Sequence, residues 1–114
     1  MVKVKFVKQG NIYKCLSNFI DKDVDLLELL VLDLDTQQKI RDFKDAVFFR
    51  LKNYSMLTVD IKIDKNKIII IENFPFEENY IASKAIDKGI LKKIINDWSM
   101  FLKNKKEFEK EYYL

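Results

Sequence analysis

Histidine is absent from this chain. That excludes histidine-based acid–base catalysis and any metal site built on imidazole ligands. Only two glycines occur, Gly10 and Gly89, so no glycine-rich phosphate loop can be assembled. The single cysteine, Cys15, cannot close an internal disulfide and reads as a small buried hydrophobe in a reducing, cytoplasmic setting. No fully apolar run exceeds four residues, against the ~18 that a membrane helix needs. The opening MVKVKFVKQG lacks the apolar stretch of a signal peptide. Proline occurs once, at Pro75, and arginine twice, at Arg41 and Arg50, while Lys, Ile, Asn and Asp abound. Such a bias suits an AT-rich genome, which raises the lysine count without selection for binding.

What is present fits one compact domain. The 114 residues are 48% apolar and 34% charged, enough for a core and too short for two. The net charge of +3 is mild, yet unevenly spread: residues 21–45 hold eight acidic side chains and four basic ones, residues 84–110 eight lysines and four acids. An acidic and a basic face are expected, a matter of association more than of fold.

The clearest local signal is LTVDIKIDKNKIIIIENF, residues 57–74. Leu57, Val59, Ile61 and Ile63 alternate with polar residues, and Ile68–Ile71 follow a turn at Lys65 and Asn66, which predicts a β-hairpin. Two of the four isoleucines must face away from the hairpin's apolar side and need a cover. Upstream, Val2, Val4 and Phe6 alternate with lysines as a strand, Gln9-Gly10-Asn11 turns, and residues 12–20 lean to a second strand. Residues 21–35 are open between helix and strand, including a short helix over 23–30 running into a strand. Thr36–Tyr54 predicts an amphipathic helix of about five turns, with Asp35 capping and Gln38 reaching back. Pro75 should end the hairpin's second strand. Residues 77–88 read as a loop with a helical turn or short helix, ended by Gly89, and Ile90–Glu111 as a second long helix with Leu91, Ile94, Ile95, Trp98, Phe101 and Leu102 on its stripe. The expected architecture is α+β: one small domain, mostly antiparallel sheet, packed on one face by two long amphipathic helices.

Four chemistries can be drawn from these residues. LLVLDLDT, residues 29–36, resembles the first motif of the haloacid dehalogenase superfamily; that resemblance implies Asp33 as phosphoryl-accepting nucleophile, Asp35 as acid–base and magnesium on Asp33. Gln37 departs from the motif, and only Glu72 is available for its later acidic pair. Asp60-Ile61-Lys62 offers the carboxylate–lysine alternation of a magnesium nuclease, without a second acid beside it. Lys3, Lys5, Lys8 and Lys14 at one end of the chain, or Lys88, Lys92 and Lys93 at the other, could neutralise phosphates, with Tyr13 or Tyr80 stacking on bases; two arginines are few for such a surface.

The fourth is a protein-binding module, and it is the reading the sequence favours. Asp21, Asp23, Asp25, Asp33, Asp42 and Asp45 would form an acidic face, and Tyr54, Phe76 and Tyr80 its desolvated anchors. Such a chain would be non-enzymatic, hold neither cofactor nor metal, and act in the cytoplasm by occluding a toxin, nuclease or defence effector, as an inhibitor or immunity-type protein of bacterial or phage origin. Nucleic acid is the alternative partner. A homodimer through Ile69, Ile71, Tyr112 and Tyr113 is the blandest use of the spare apolar side chains.

Overall fold

A computed structural model describes residues 1–73 and 80–113. The fold is α+β, and every strand pairing in it is antiparallel. The strands divide into two main sheets and a short ribbon. In the first sheet β1 (Val2–Gln9) lies between β2 (Ile12–Ser17) and β9 (Phe108–Tyr112). The second runs β5 (Tyr54–Ser55), β6 (Val59–Asp64), β7 (Lys67–Glu72), β8 (Ser83–Asp87). The ribbon is β3 (Ile20–Asp21) with β4 (Val24–Asp25).

The predicted hairpin is β6–β7, joined by Lys65 and Asn66, with Lys65 at φ 55. Pairing Ile61 with Ile70 and Ile63 with Ile68 sends Val59, Ile61, Ile68 and Ile70 into the core. Ile69 and Ile71 take the outer face and are half-buried. Their cross-strand neighbours, Lys62 and Ala85 for Ile69 and Asp60 and Ser83 for Ile71, flank them, so no further layer is needed. β7 ends at Glu72; the expected stop at Pro75 lies outside the described residues.

Three helices fill the space beside the sheets. α1 (Leu26–Leu32) buries Leu26, Leu27, Leu30 and Val31. α2 (Gln37–Lys44) runs on into a π-helical turn, Asp45–Phe49, and stops there, short of Tyr54. Its cap is Thr36, whose Oγ1 accepts from Lys39 N at 3.2 Å, so the expected cap at Asp35 is corrected. Gln38 does not reach back: its amide donates to Asp42 and accepts from Arg41. α3 (Lys88–Asn104) carries the predicted stripe inward, with Leu102 half-buried. Trp98 at its middle stands near Phe6 and Phe101, and the Trp98 indole donates to Leu34 O at 2.7 Å.

Beyond Asn104 the expected helix is corrected. Lys105 adopts φ 59 and closes α3 through its N–H to Phe101 O, a left-handed cap. The chain then returns as β9. Phe108 stacks on Phe6 at 4.5 Å between centroids, and Tyr112 is buried with its hydroxyl on Asp97. Residues 83–87, expected in a loop, form β8 instead and add the fourth strand.

Candidate functional site

The acidic residues of the sequence reading divide into those the backbone has claimed and those left over. Asp25 caps α1: its Oδ1 accepts from Leu27 N and Glu28 N, while Ser17 donates both its N–H and its hydroxyl to the same carboxylate at 2.6 Å. Asp33, just past the end of α1, accepts from Thr58 N at 2.7 Å and Thr58 Oγ1 at 2.8 Å. Asp21 accepts from Ser83 N at 2.9 Å and from the Tyr80 hydroxyl, tying β3 to the edge of β8. Those bonds, the backbone one foremost, hold the Asp21 carboxyl below its ordinary range, and the hydrogen bond to Asp21 pushes the Tyr80 phenol up. Asp45 pairs with Arg50 at 3.1 Å. Asp23 and Asp42 remain exposed, the latter touched only by Gln38.

Two grooves flank α1, one at each end. At its start a cleft of about 320 Å³ is lined by residues Lys22–Asp25 of the ribbon, Glu28 and Leu29 of α1, Glu72 at the end of β7, and Tyr80. At its finish a second groove of about 440 Å³ brings together Asp33, Asp42 and Tyr54 with Lys39 and the strongly exposed Leu57. Seven helical residues span ~10 Å. Between the grooves runs a stitched edge: the one proton of the Thr58 hydroxyl lies between Leu29 O at 2.7 Å and Asp33 Oδ2 at 2.8 Å, while Asn73 N donates to Thr58 O and the Asn73 amide to Met56 O. The open end of the β6–β7 hairpin and the flank of α1 therefore make one acidic rim.

The structure gathers Asp23, Asp25 and Tyr80 in the first groove and Asp33, Asp42 and Tyr54 in the second. Asp21 lies beside the first through Tyr80, Asp45 in neither, and Phe76 outside the described residues. Tyr54 is half-buried, edge-on to Phe43 at 5.9 Å, and so is as much core as anchor. Sequence reasoning missed Glu28 and considered Glu72 only for the phosphatase motif, not for the acidic face. Glu28 sat in a segment of undecided type, and Glu72 followed four isoleucines as an ordinary strand-end charge; only the packing of α1 on β7 brings the two together.

The motif readings change as well. LLVL is the body of α1 and its turn, not a strand, so Asp33 and Asp35 do not stand at a strand's carboxyl end. Asp35 instead bonds Lys39 at 2.8 Å, which holds its carboxyl low. Asp60 lies on the outer sheet face opposite Ser55 and Ile71, with no second carboxylate across from it. Among the described residues no three acidic or thiol side chains are grouped to hold a metal ion. Burial, aided by Asp25 and Glu28, pushes the Cys15 thiol well up, which leaves it unreactive.

The lysine surfaces fare differently from one another. Lys3 and Lys5 stand opposite Glu111 and Glu109 of β9, at 3.8 and 3.5 Å, so the strand that replaced the end of the expected helix neutralises them. Lys14 reaches Glu28 at 3.9 Å. Tyr13 is half-buried against Phe101 and offers no open stacking platform. On α3, Lys88 is half-buried at the helix start, Lys92 sits 5.5 Å over the Phe49 ring, and Lys93 is exposed. The amino-acid sequence matches no protein-family model, and neither curated proteins nor solved structures give a match.

Proposed function

We propose that this protein is a non-enzymatic binding module that occludes a basic partner protein with the acidic rim along α1, in the manner of a stoichiometric inhibitor or immunity-type protein acting inside the cell. One observation carries the reading: carboxylates that accept no backbone bond among the described residues, Asp23 and Glu72 at one end of α1 and Asp42 at the other, line two adjoining grooves that also present Tyr80 and Leu57. Each groove also holds a lysine, Lys22 or Lys39, but acids outnumber it, and an excess of negative charge beside exposed aromatic and aliphatic side chains is what steers and then anchors a protein of opposite charge. The lysine faces support nucleic acid less, since Lys3 and Lys5 are paired with glutamates of the neighbouring strand.

Affinity capture from the native cell tests it, with wild type beside a double charge reversal, Asp23→Lys with Asp42→Lys. Both positions are exposed, and neither carries a bond to the backbone, so the variant should fold. A basic protein recovered in stoichiometric amount by the wild type, lost on charge reversal and weakened by salt, is the expected result. Recovery of the same protein at equal yield by the reversed variant, or of nucleic acid alone, would sink the proposal.

A further inference from the structure

The β6–β7 hairpin, acidic along its open end, carries the opposite charge at its turn. Ile63 N donates to Asn53 Oδ1 at 3.0 Å and Lys88 N to Asn66 O at 2.8 Å. The loop after the π-helical turn, the hairpin turn and the start of α3 therefore meet at one end of the molecule. Residues 49–53, 64–67 and 87–93 together hold seven cationic side chains and two acids. Of those acids Asp87 caps α3, accepting from Ile90 N at 3.1 Å, and Asp64 is exposed. A further acid nearby, Asp45, is paired with Arg50. Among the described residues Lys52, Lys92 and Lys93 take part in no ion pair.

Apolar side chains stand out from this cationic end. Four residues past the buried Val47, Leu51 would face the core if the helix continued. The chain leaves the helix instead, and Leu51 takes φ 53, a conformation that a bulky side chain resists. All of residues 49–53 are exposed, Phe49 at 69% and Leu51 at 50%. Lys92 Nζ lies 5.5 Å from the centre of the Phe49 ring, so the apolar and cationic parts form one patch. Apolar side chains turned outward at a conformational cost, beside an excess of one charge, mark a surface that meets something other than its own core.

The excess of positive charge makes the occupant anionic. Arg50 apart, the cations are lysines, flexible point charges that suit a diffuse array of phosphates better than a fixed bidentate geometry. Single-stranded nucleic acid would stack its bases on aromatic rings, and Leu51 offers none. A projecting loop that carries one aromatic and one aliphatic side chain suits the boundary between headgroups and acyl chains.

We infer that this end of the molecule docks on an anionic lipid surface, with Phe49 and Leu51 entering the interfacial layer and Lys52, Lys92 and Lys93 lying among the headgroups. The acidic rim is then left facing away from the lipid, because the six residues of β6 set it roughly 20 Å from the turn.

The full chain is cosedimented with vesicles of phosphatidylcholine alone and with vesicles in which roughly one lipid in three is phosphatidylglycerol. Binding to the anionic vesicles only, weakened by salt, is expected. At about a factor of five for each lysine, Lys92→Gln with Lys93→Gln should lower the affinity at least about tenfold. Phe49→Ser should lower it by a similar factor. Leu51→Gly removes the other apolar side chain and suits the positive φ, so it keeps the test valid if Phe49→Ser fails to fold. Lys8→Gln with Lys106→Gln, exposed lysines beside the last turn of α3, should bind as wild type does. No binding, equal binding to both kinds of vesicle, an equal loss in the Lys8 and Lys106 variant, or full affinity in both the Phe49 and Leu51 variants would each overturn the docking. So would a single-stranded oligonucleotide that displaces the vesicles and itself needs Phe49 to bind. A dimer formed without lipid and dissolved by Phe49→Ser would assign the patch to a second copy of the chain instead.

Discussion

Tyr112 shows how a residue that looked surplus becomes structural. It is buried on the inner face of β9, where its hydroxyl donates to Asp97 at 2.7 Å while Lys110 bonds the same carboxylate. Burial first, and the hydrogen bond to Asp97 next, push the phenol above its ordinary value of 10.0. An unfolded tyrosine releases its proton near that value while the folded one keeps it. The contribution of Tyr112 to stability is therefore whole below about pH 10 and declines as pH rises above it. Cys15, raised from 9.0, adds a loss of the same sign from its own lower starting point. In Tyr112→Phe the hydroxyl bond is gone, and ~1 kcal/mol should be lost at neutral pH. Its urea midpoint should then fall less steeply than that of wild type between about pH 10 and pH 11.5. Parallel curves would show that Tyr112 does not set the alkaline limit.

Among the elements, the β3–β4 ribbon is the one whose turn places two consecutive residues other than glycine at positive φ. Ile20 pairs with Asp25 and Asp21 with Val24, leaving a two-residue turn in which both Lys22 and Asp23 are left-handed. That is the turn for which Asn-Gly is preferred, because glycine has no Cβ to clash and asparagine tolerates positive φ. Replacing Asp23 by glycine should raise stability by about 1 kcal/mol, a rise of roughly 4 °C in Tm for a domain of this size. Thermal melts check it: an unchanged or lower Tm would show that the left-handed turn holds no strain for glycine to relieve. Elements were legible in the sequence to differing depth. β1 and β6 follow from period two, β7 from an apolar run after a turn, and the face of α3 from its spacing of three and four, whereas the spacing over β2 suits strand and helix alike. β9 did not, for a physical reason: Phe108 and Tyr112 are four apart, which fits one helical face and one strand face alike, while Lys and Glu between them favour helix. What decided for strand was β1, whose free edge accepts β9 in register, Phe6 against Phe108 and Val2 against Tyr112.

At the scale of the whole molecule, the first sheet, α3 and the second sheet share one core, in a body with a radius of gyration of 13.3 Å. β9 closes that core from the side of β1, placing Phe108 on Phe6 and Tyr112 against α3 through Asp97. Deleting residues 106–114 would expose apolar surface worth ~3–6 kcal/mol for those two side chains alone. That is comparable with the whole stability of an ordinary domain. It would also bare the β1 edge and free Lys3 and Lys5 from their glutamates. The truncated chain should be unfolded or aggregated by far-UV circular dichroism and size exclusion. A cooperative melt within a few degrees of the full chain would show that β9 is an appendage. Among the described residues no helix is long and apolar enough to cross a membrane.

The sequence by itself determined which chemistry has no histidine to run on, where the central hairpin turns, and which faces of α3 and β6 point inward, because those depend on residue type and on spacing within a dozen positions. Tertiary structure alone decided the fate of each carboxylate. Asp33 found its donors 25 residues away at Thr58 and Asp21 found one 62 residues away at Ser83, whereas Glu72 was buried beside α1 and found none among the described residues. A charge carries no local mark of the donors it will meet, since those are supplied by chain segments that packing, rather than periodicity, brings alongside.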